Sequence, residues 1–200
     1  MSNLKNDASY GVGMSIGQSL QGQNLDGLDL DSFVAGIKDV FHGGGLKMSP
    51  EEANGKIQEF LNEVNEKKFA ANKVEGAAFL SANAQKEGVI ELKSGLQYEV
   101  VTEGTGEKPN ESSQVTVHYN GTLTDGTVFD SSIERGEPAT FGVNQVIKGW
   151  TEALQLMAVG SKYRLYIPEH LAYGANPNPQ GPIKPYMALI FDVELIAIQG

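Results

Sequence analysis

The period of the apolar positions changes once along the 200 residues, near Ile90. Upstream, apolar side chains recur three and four apart; downstream they recur every second residue between turns marked by Gly and Pro, which predicts helices followed by strands. Phe33, Val34, Ile37, Val40 and Phe41 form one stripe, behind Asp29 or Asp31 as N-cap and ahead of Gly43-Gly44-Gly45 as the stop. Tyr10, Met14, Gly17 and Leu20 predict a short helix before it, with Gly13 and Gly17 thinning one side. A segment of about 40 residues lies below the size at which a domain usually folds unaided, so these stripes need a partner. Ser49, Pro50, Glu51 and Glu52 carry the clearest start signal, an N-cap followed by proline at the first helical position and a capping box. No proline follows until Pro109. A helix from Pro50 to about Lys86 would run roughly 55 Å at 1.5 Å per residue. Its stripe of Ala53, Ile57, Phe60, Leu61 and Val64 fades through Asn65-Glu66-Lys67-Lys68, the pattern of a stalk packed at one end. Alternatively, Gly76 breaks it into two ordinary helices packed on the C-terminal domain.

Beyond Ile90, Leu96 to Val100 and Val115 to Tyr119 alternate as half-buried strands, Lys162 to Ile167 and Met187 to Ile198 read as further strands, and Asp125-Gly126 is a turn between strands. Ile147, Trp150, Ala153 or Leu154, and Met157 fall at helical spacing. The expected fold class is α+β: an all-helical N-terminal segment (1–48), a long linking helix (49–90), and an antiparallel sheet wrapped around one short helix (91–200), with an apolar cleft between sheet and helix.

Charge removes one class of partner. The formal net charge is −10 and the basic residues are scattered, with Lys67-Lys68 the adjacent pair, whereas a nucleic-acid surface needs clustered cations that release counterions. Without cysteine there is no disulfide, no thiolate nucleophile and no Cys-type zinc site, which leaves the redox compartment open. No stretch approaches the ~18 consecutive apolar residues of a membrane span. The start, MSNLKNDASYGVG, lacks the basic and then apolar order of a secretion signal, so the chain is expected to be cytoplasmic, with a periplasmic location the alternative if a leader has been removed.

The chemistry concentrates between Val115 and Trp150. There Tyr119, Phe129, Phe141, Val146, Ile147 and Trp150 have the composition of an apolar pocket around Asp130 and Arg135. Ser131 and Ser132 beside Asp130 invite a hydrolytic reading, but no Gly-x-Ser-x-Gly elbow is present and His118 would have to be brought in by the fold. His118, between apolar neighbours and far in sequence from His42 and His170, is most simply a structural histidine.

Val117-His118-Tyr119, Asp125-Gly126, Val128-Phe129-Asp130-Ser131-Ser132, Arg135-Gly136 with Pro138, Val146-Ile147-Lys148-Gly149-Trp150, Ala172-Tyr173-Gly174 and Ile190-Phe191-Asp192-Val193-Glu194-Leu195 follow one another in an order and spacing that resembles the FKBP-type peptidyl-prolyl cis-trans isomerases, from about Gly95 to Ile198. The preceding helices are similar to those of the bacterial dimeric subgroup that includes the macrophage-infectivity potentiator. That resemblance implies a homodimer joined through the N-terminal helices, with the long helix holding each catalytic domain away from the junction. It further implies an isomerase site made of Tyr119, Phe129, Asp130, Phe141, Val146, Ile147, Trp150, Tyr173 and Phe191, with Trp150 beneath the proline ring. The Ile147 N–H and the Tyr173 hydroxyl would donate to peptide carbonyls, Arg135 would hold Asp130, and Ile183 would stand at the rim. The family uses no cofactor or metal; its implied partners are proline-containing polypeptides and the macrolides tacrolimus and rapamycin. Two places depart from the family pattern: Ala139 replaces a second aromatic, and the loop Ala175–Pro182 is longer by about one residue and lacks a histidine.

Such a pocket suits the reaction. Rotation about an X-Pro amide crosses a barrier of roughly 18–20 kcal/mol set by resonance, and no covalent bond breaks. Shape, dryness and a few donors aimed at the twisted amide are what it needs. The rival from another class is a non-enzymatic holdase, a dimeric clamp on unfolded chains in which the pocket only docks peptide.

Overall fold

The computed structural model describes residues 3–23, 25, 27–43 and 45–199; Gly44, within the expected glycine stop, lies outside them. The chain divides into two units, residues 1–68 and 69–200.

The first unit holds α1 (Leu4–Gly22), α2 (Leu30–His42) and α3 (Pro50–Lys68). At 19 residues α1 is longer than the short helix expected, and none of its residues is buried. Of the two candidate caps, Asp29 serves α2: its carboxylate accepts the Ser32 N–H at 2.8 Å, while Asp31 lies in the first turn, where negative charge suits the helix dipole. Gly43 ends the helix in the left-handed conformation (φ 62°). At the start of α3 the capping box is reciprocal: the Ser49 N–H donates to Glu52 Oε2 (2.8 Å) and the Glu52 N–H to Ser49 Oγ (3.2 Å).

The single helix expected from Pro50 to Lys86 is two. It ends at Lys68, Phe69 leaves the helical region (φ −115°, ψ 21°), and α4 (Ala70–Asn83) begins after it. The break falls where the apolar stripe gives way to exposed Glu66, Lys67 and Lys68. Gly76 is not the breaker. It is buried inside α4, where a Cβ would stand 3.3 Å from the Cβ of Ala188.

The second unit is an antiparallel sheet in the order β1 (Ile90–Glu91), β2 (Gln97–Thr102), β6 (Lys162–Ile167), β7 (Leu189–Gln199), β3 (Gln114–Leu123), β4 (Val128–Ser131); β5 (Ala139–Gly142) also pairs with β3. One edge of β3 is taken along its length by β7; the other is shared, its N-terminal half by β5 and its C-terminal half by β4. A one-turn helix α5 (Ser132–Arg135) follows β4, and α6 (Lys148–Leu154) fills the concave side. β3 alternates without exception, with Val115, Val117, Tyr119, Gly121 and Leu123 buried. These meet Leu165, Ile167, Val193 and Leu195 of the neighbouring strands and Trp150 and Leu154 of α6. Gly149 lets α6 sit this close, since a Cβ there would lie 2.6 Å from Ile167 Cγ2.

The opposite face of the sheet is covered by α4. Phe79 lies 6.0 Å from the Tyr166 ring, the Asn83 side chain donates to Gln97 Oε1 (3.0 Å), and the Gln97 amide donates to the Leu80 carbonyl (2.9 Å). The sheet unit therefore starts at residue 69, with α4 included, rather than at residue 91.

Candidate active site

The approach to α6 assembles most of the site. A 3₁₀ turn, Val143–Gln145, is tied to the helix by the Thr151 hydroxyl, which donates to the Val143 carbonyl at 2.7 Å. Ile147 then stands at the N-cap: its carbonyl accepts from the N–H groups of Trp150 (2.9 Å) and Thr151 (3.1 Å). Its own N–H has no acceptor among the described residues.

Trp150 is 4% exposed and meets three rings almost at right angles: Tyr119 (5.3 Å, 85°), Phe141 (5.9 Å, 89°) and Phe191 (5.3 Å, 81°). Edge-to-face geometry on three sides fixes the indole plane. Above it is a cavity of about 300 Å³ walled by Tyr119, Phe141, Val146, Ile147 and Phe191 and bordered by Asp130, Gln145 and Tyr173. Asp130, Tyr173 and Phe191 also border a second cavity of about 270 Å³, whose other walls include Phe129, Ile183, Pro177 and Pro182. Phe129 stands edge-on to Phe191 (5.4 Å, 84°).

The expected site residues thus come together, but around two hollows rather than one. Phe129 and Ile183 belong to the second. Arg135, expected to bind substrate, lines neither; it lies behind Asp130. Gln145, Pro177, Asn178, Gly181 and Pro182 were not anticipated. Gln145 was within reach as the polar residue just before Val146-Ile147; the loop positions carry no periodic signal.

The polar groups form a closed triangle. The Tyr119 hydroxyl donates to Asp130 Oδ2 (2.6 Å), and Arg135 donates to that hydroxyl (2.8 Å) and to Asp130 Oδ1. The guanidinium also lies 5.5 Å from the centre of the Tyr119 ring. Burial alone would raise the Asp130 carboxyl, but the hydrogen bond from Tyr119 and then Arg135 outweigh it and hold it below its ordinary value. Burial pushes the Tyr173 hydroxyl up, with the Asp130 charge adding to it, so Tyr173 is a protonated donor at neutral pH.

A pH dependence follows from Asp130. Because its folded-state pKa is depressed, its stabilising contribution is complete above the unfolded value of about 3.9 and is lost as pH falls through the folded value. Asp130→Asn is therefore expected to lower stability at neutral pH by under about 1 kcal/mol, the range of part-exposed pairs, and to match the parent in strong acid. Urea midpoints between pH 2.5 and 7 check this; a difference that grows towards acid would refute it.

Among the described residues no serine, threonine, cysteine or lysine lines either cavity. The fold does bring His118 to Ser132 (Nδ1 to Oγ 3.0 Å), yet Ser132 is fully buried, its Oγ accepting the Tyr119 N–H at 2.8 Å and lying 3.2 Å from the Tyr119 carbonyl. The pair pins α5 to β3, which removes the hydrolytic reading. Among the described residues no three His, Asp or Glu side chains gather to hold a metal ion, and no helix is long and apolar enough to cross a membrane.

Comparison with known proteins identifies this geometry. Residues 105–196 match the family described as FKBP-type peptidyl-prolyl cis-trans isomerase, and residues 5–100 match the domain amino terminal to it. The chain is 46% identical over 198 residues to the FKBP-type 22 kDa peptidyl-prolyl cis-trans isomerase of Escherichia coli, covering 98% of this chain and 96% of the relative. It is 43% identical over 202 residues to the outer membrane protein MIP of Legionella longbeachae (98% and 86% covered). The crystal structure of FkpA from Escherichia coli is similar at 38% identity and a TM-score of 0.64, covering 100% of this chain and 98% of that one. The chain belongs to the FKBP-type peptidyl-prolyl cis-trans isomerases. It is an enzyme, and its reaction is rotation of the bond preceding proline.

Proposed function

We propose that the cavity over Trp150 receives the proline of an unfolded or partly folded chain and binds the X-Pro amide in its twisted state. The observation that carries this is a buried aromatic floor bordered by two donors with no partner among the described residues, the Ile147 N–H and the Tyr173 hydroxyl, and by no serine, threonine, cysteine or lysine among them. Tyr119, Phe141, Val146 and Phe191 exclude water around the ring, which favours the less dipolar twisted amide. Phe129 and Ile183 extend the surface to the neighbouring residue. Asp130 orients Tyr119 and Arg135 holds Asp130, so this triangle shapes the site without reacting. The macrolides tacrolimus and rapamycin would occupy the same cavity as competitors.

The first unit reads as the dimerisation segment. Phe41 is 82% exposed, and Val40, Leu46, Met48 and Ile57 line an apolar groove of about 690 Å³ between α2 and α3. An exposed patch of this kind marks an interaction surface, and a second copy of the same helices supplies the matching stripe. Two isomerase units on one dimer raise the effective concentration for a long client, which adds substrate holding to catalysis. The name of one relative, an outer membrane protein, favours an extracytoplasmic location over the cytoplasmic one; cell fractionation decides between them.

The test uses the full chain and Phe41→Glu. Both are expected to isomerise a short X-Pro peptide alike, inhibited by rapamycin, while Phe41→Glu sediments as a monomer and loses most of its effect on refolding of a proline-limited protein. No peptide turnover by the parent would remove the enzymatic site; an intact Phe41→Glu dimer would remove the proposed junction.

A further inference from the structure

The second cavity is walled largely by one loop, 175–185, whose ends are Tyr173-Gly174 and Tyr186. The loop closes at its neck through a backbone bond, the Tyr186 N–H donating to the Gly174 carbonyl at 2.9 Å. Both neck residues are left-handed, Gly174 at φ 54° and Tyr186 at φ 63°. Glycine takes that conformation freely, but tyrosine keeps it only where its surroundings over-determine it. The surroundings are α4. The Asn72 side chain donates to the Pro185 carbonyl at 2.9 Å, the Lys73 ammonium lies 5.3 Å from the Tyr186 ring centre, and Gly76 admits Ala188. Tyr186 is 8% exposed beneath this face.

We propose that Asn72, outside the catalytic pocket and on a helix that precedes the whole sheet, is a positioning residue that sets the loop wall of the second cavity and so the selectivity for the side chain preceding proline. It rests on proline occupying the first cavity: Asp130, Tyr173 and Phe191 partition the two hollows, so a residue beside a proline seated over Trp150 directs its side chain into the second. The walls offered there, Phe129, Pro177, Pro182, Ile183 and Phe191, fit a large apolar side chain. Asn72 acts through the neck of the loop. Without its donor, Pro185 and Tyr186 lose one of the contacts that keep a strained residue in place, and the loop wall moves while the floor and the Ile147 N–H stay.

The test is Asn72→Ala in the full chain, a change that favours the helix. Peptides with Ala, Leu or Phe before proline are compared for kcat/KM, and amide exchange is followed at Tyr186. Loss of one hydrogen bond predicts a fall of about fivefold in the Leu:Ala and Phe:Ala preference, with the Ala-Pro peptide within about twofold of the parent. The Tyr186 amide should exchange faster while β3 and β7 amides do not change. Asn72→Asp, which keeps the shape and loses the donor, should behave likewise. Unchanged preference, an equal loss for all three peptides, or parent-like behaviour of Asn72→Asp would overturn the proposal. If the parent turns over none of the peptides, the reading of the first cavity fails instead, and an unaltered Tyr186 exchange rate in the variants overturns the role of Asn72 by itself.

Discussion

Trp150→Ala is expected to lower stability by about 3–5 kcal/mol and to abolish measurable X-Pro turnover. The first effect comes from burial: the indole is 4% exposed and is the common partner of Tyr119, Phe141 and Phe191. Removing it leaves three rings without the group that fixes their angles, and the cavity it leaves can be only partly refilled. Since a domain has ~5–15 kcal/mol to lose, the variant should still fold in the cold and be visibly softened. The second effect is independent of the first, because even a folded variant has lost the surface on which we propose the proline sits. Urea denaturation and a peptide assay well below the melting temperature separate the two. A variant that unfolds at the parent midpoint, or that turns over peptide normally, would show that the indole is neither keystone nor floor.

Gly121→Ala should be the most damaging single methyl in the sheet around the site. A Cβ at Gly121 would stand 2.7 Å from Cε2 and Cζ of Phe129 and 2.8 Å from Cε1 of Phe191, closer than real Cβ contacts allow. Gly121 is in the middle of β3, bonded to β7 on one side and β4 on the other, so the backbone cannot step away. The two rings must move instead; Phe129 walls the second cavity and Phe191 borders both. Overpacking of this kind costs about 1–3 kcal/mol. Phe191 is also pressed against Trp150, so kcat/KM should fall by about tenfold or more, beyond what the stability loss explains. If the variant binds and turns over peptide as the parent does, these two rings do not shape the site.

Local rules carried much of this structure. The Ser49–Glu52 box, the Asp29 cap, the alternation of β3 and the span of β6 are each settled by side chains a few residues apart. The aromatic words around Val115–Trp150 likewise name Tyr119, Phe141, Val146, Ile147 and Trp150 of the first cavity, but not its Phe191 wall, and they include Phe129, which walls the second. What escaped depends on distant partners. The end of α3 at Lys68 is marked by no breaker residue, and Gly76, which looks like a breaker, is a close approach to Ala188. β1 has two residues, and β4 and β5 four each, too short for a period to show. The division into two hollows comes from Tyr173 and Phe191, which sit 18 residues apart and belong to a loop and a strand. α4 reads as part of a stalk because its apolar content is thin; beside Phe79, its attachment to the rest of the second unit is made by Asn72, Gly76 and Asn83, residues that a hydrophobicity pattern scores as neutral or polar.

The pairing of β3 with β7 spans residues 114–123 and 189–199, and Phe191 arrives only with the later strand. During synthesis the first four-fifths of the chain can leave the ribosome with its aromatic words complete and no hollow to show for them, because long-range pairing must wait for the last strand. A copy in which residues 189–199 have not yet joined β3 lacks the Phe191 wall, so the hollow over Trp150 exists only once that distant strand has paired.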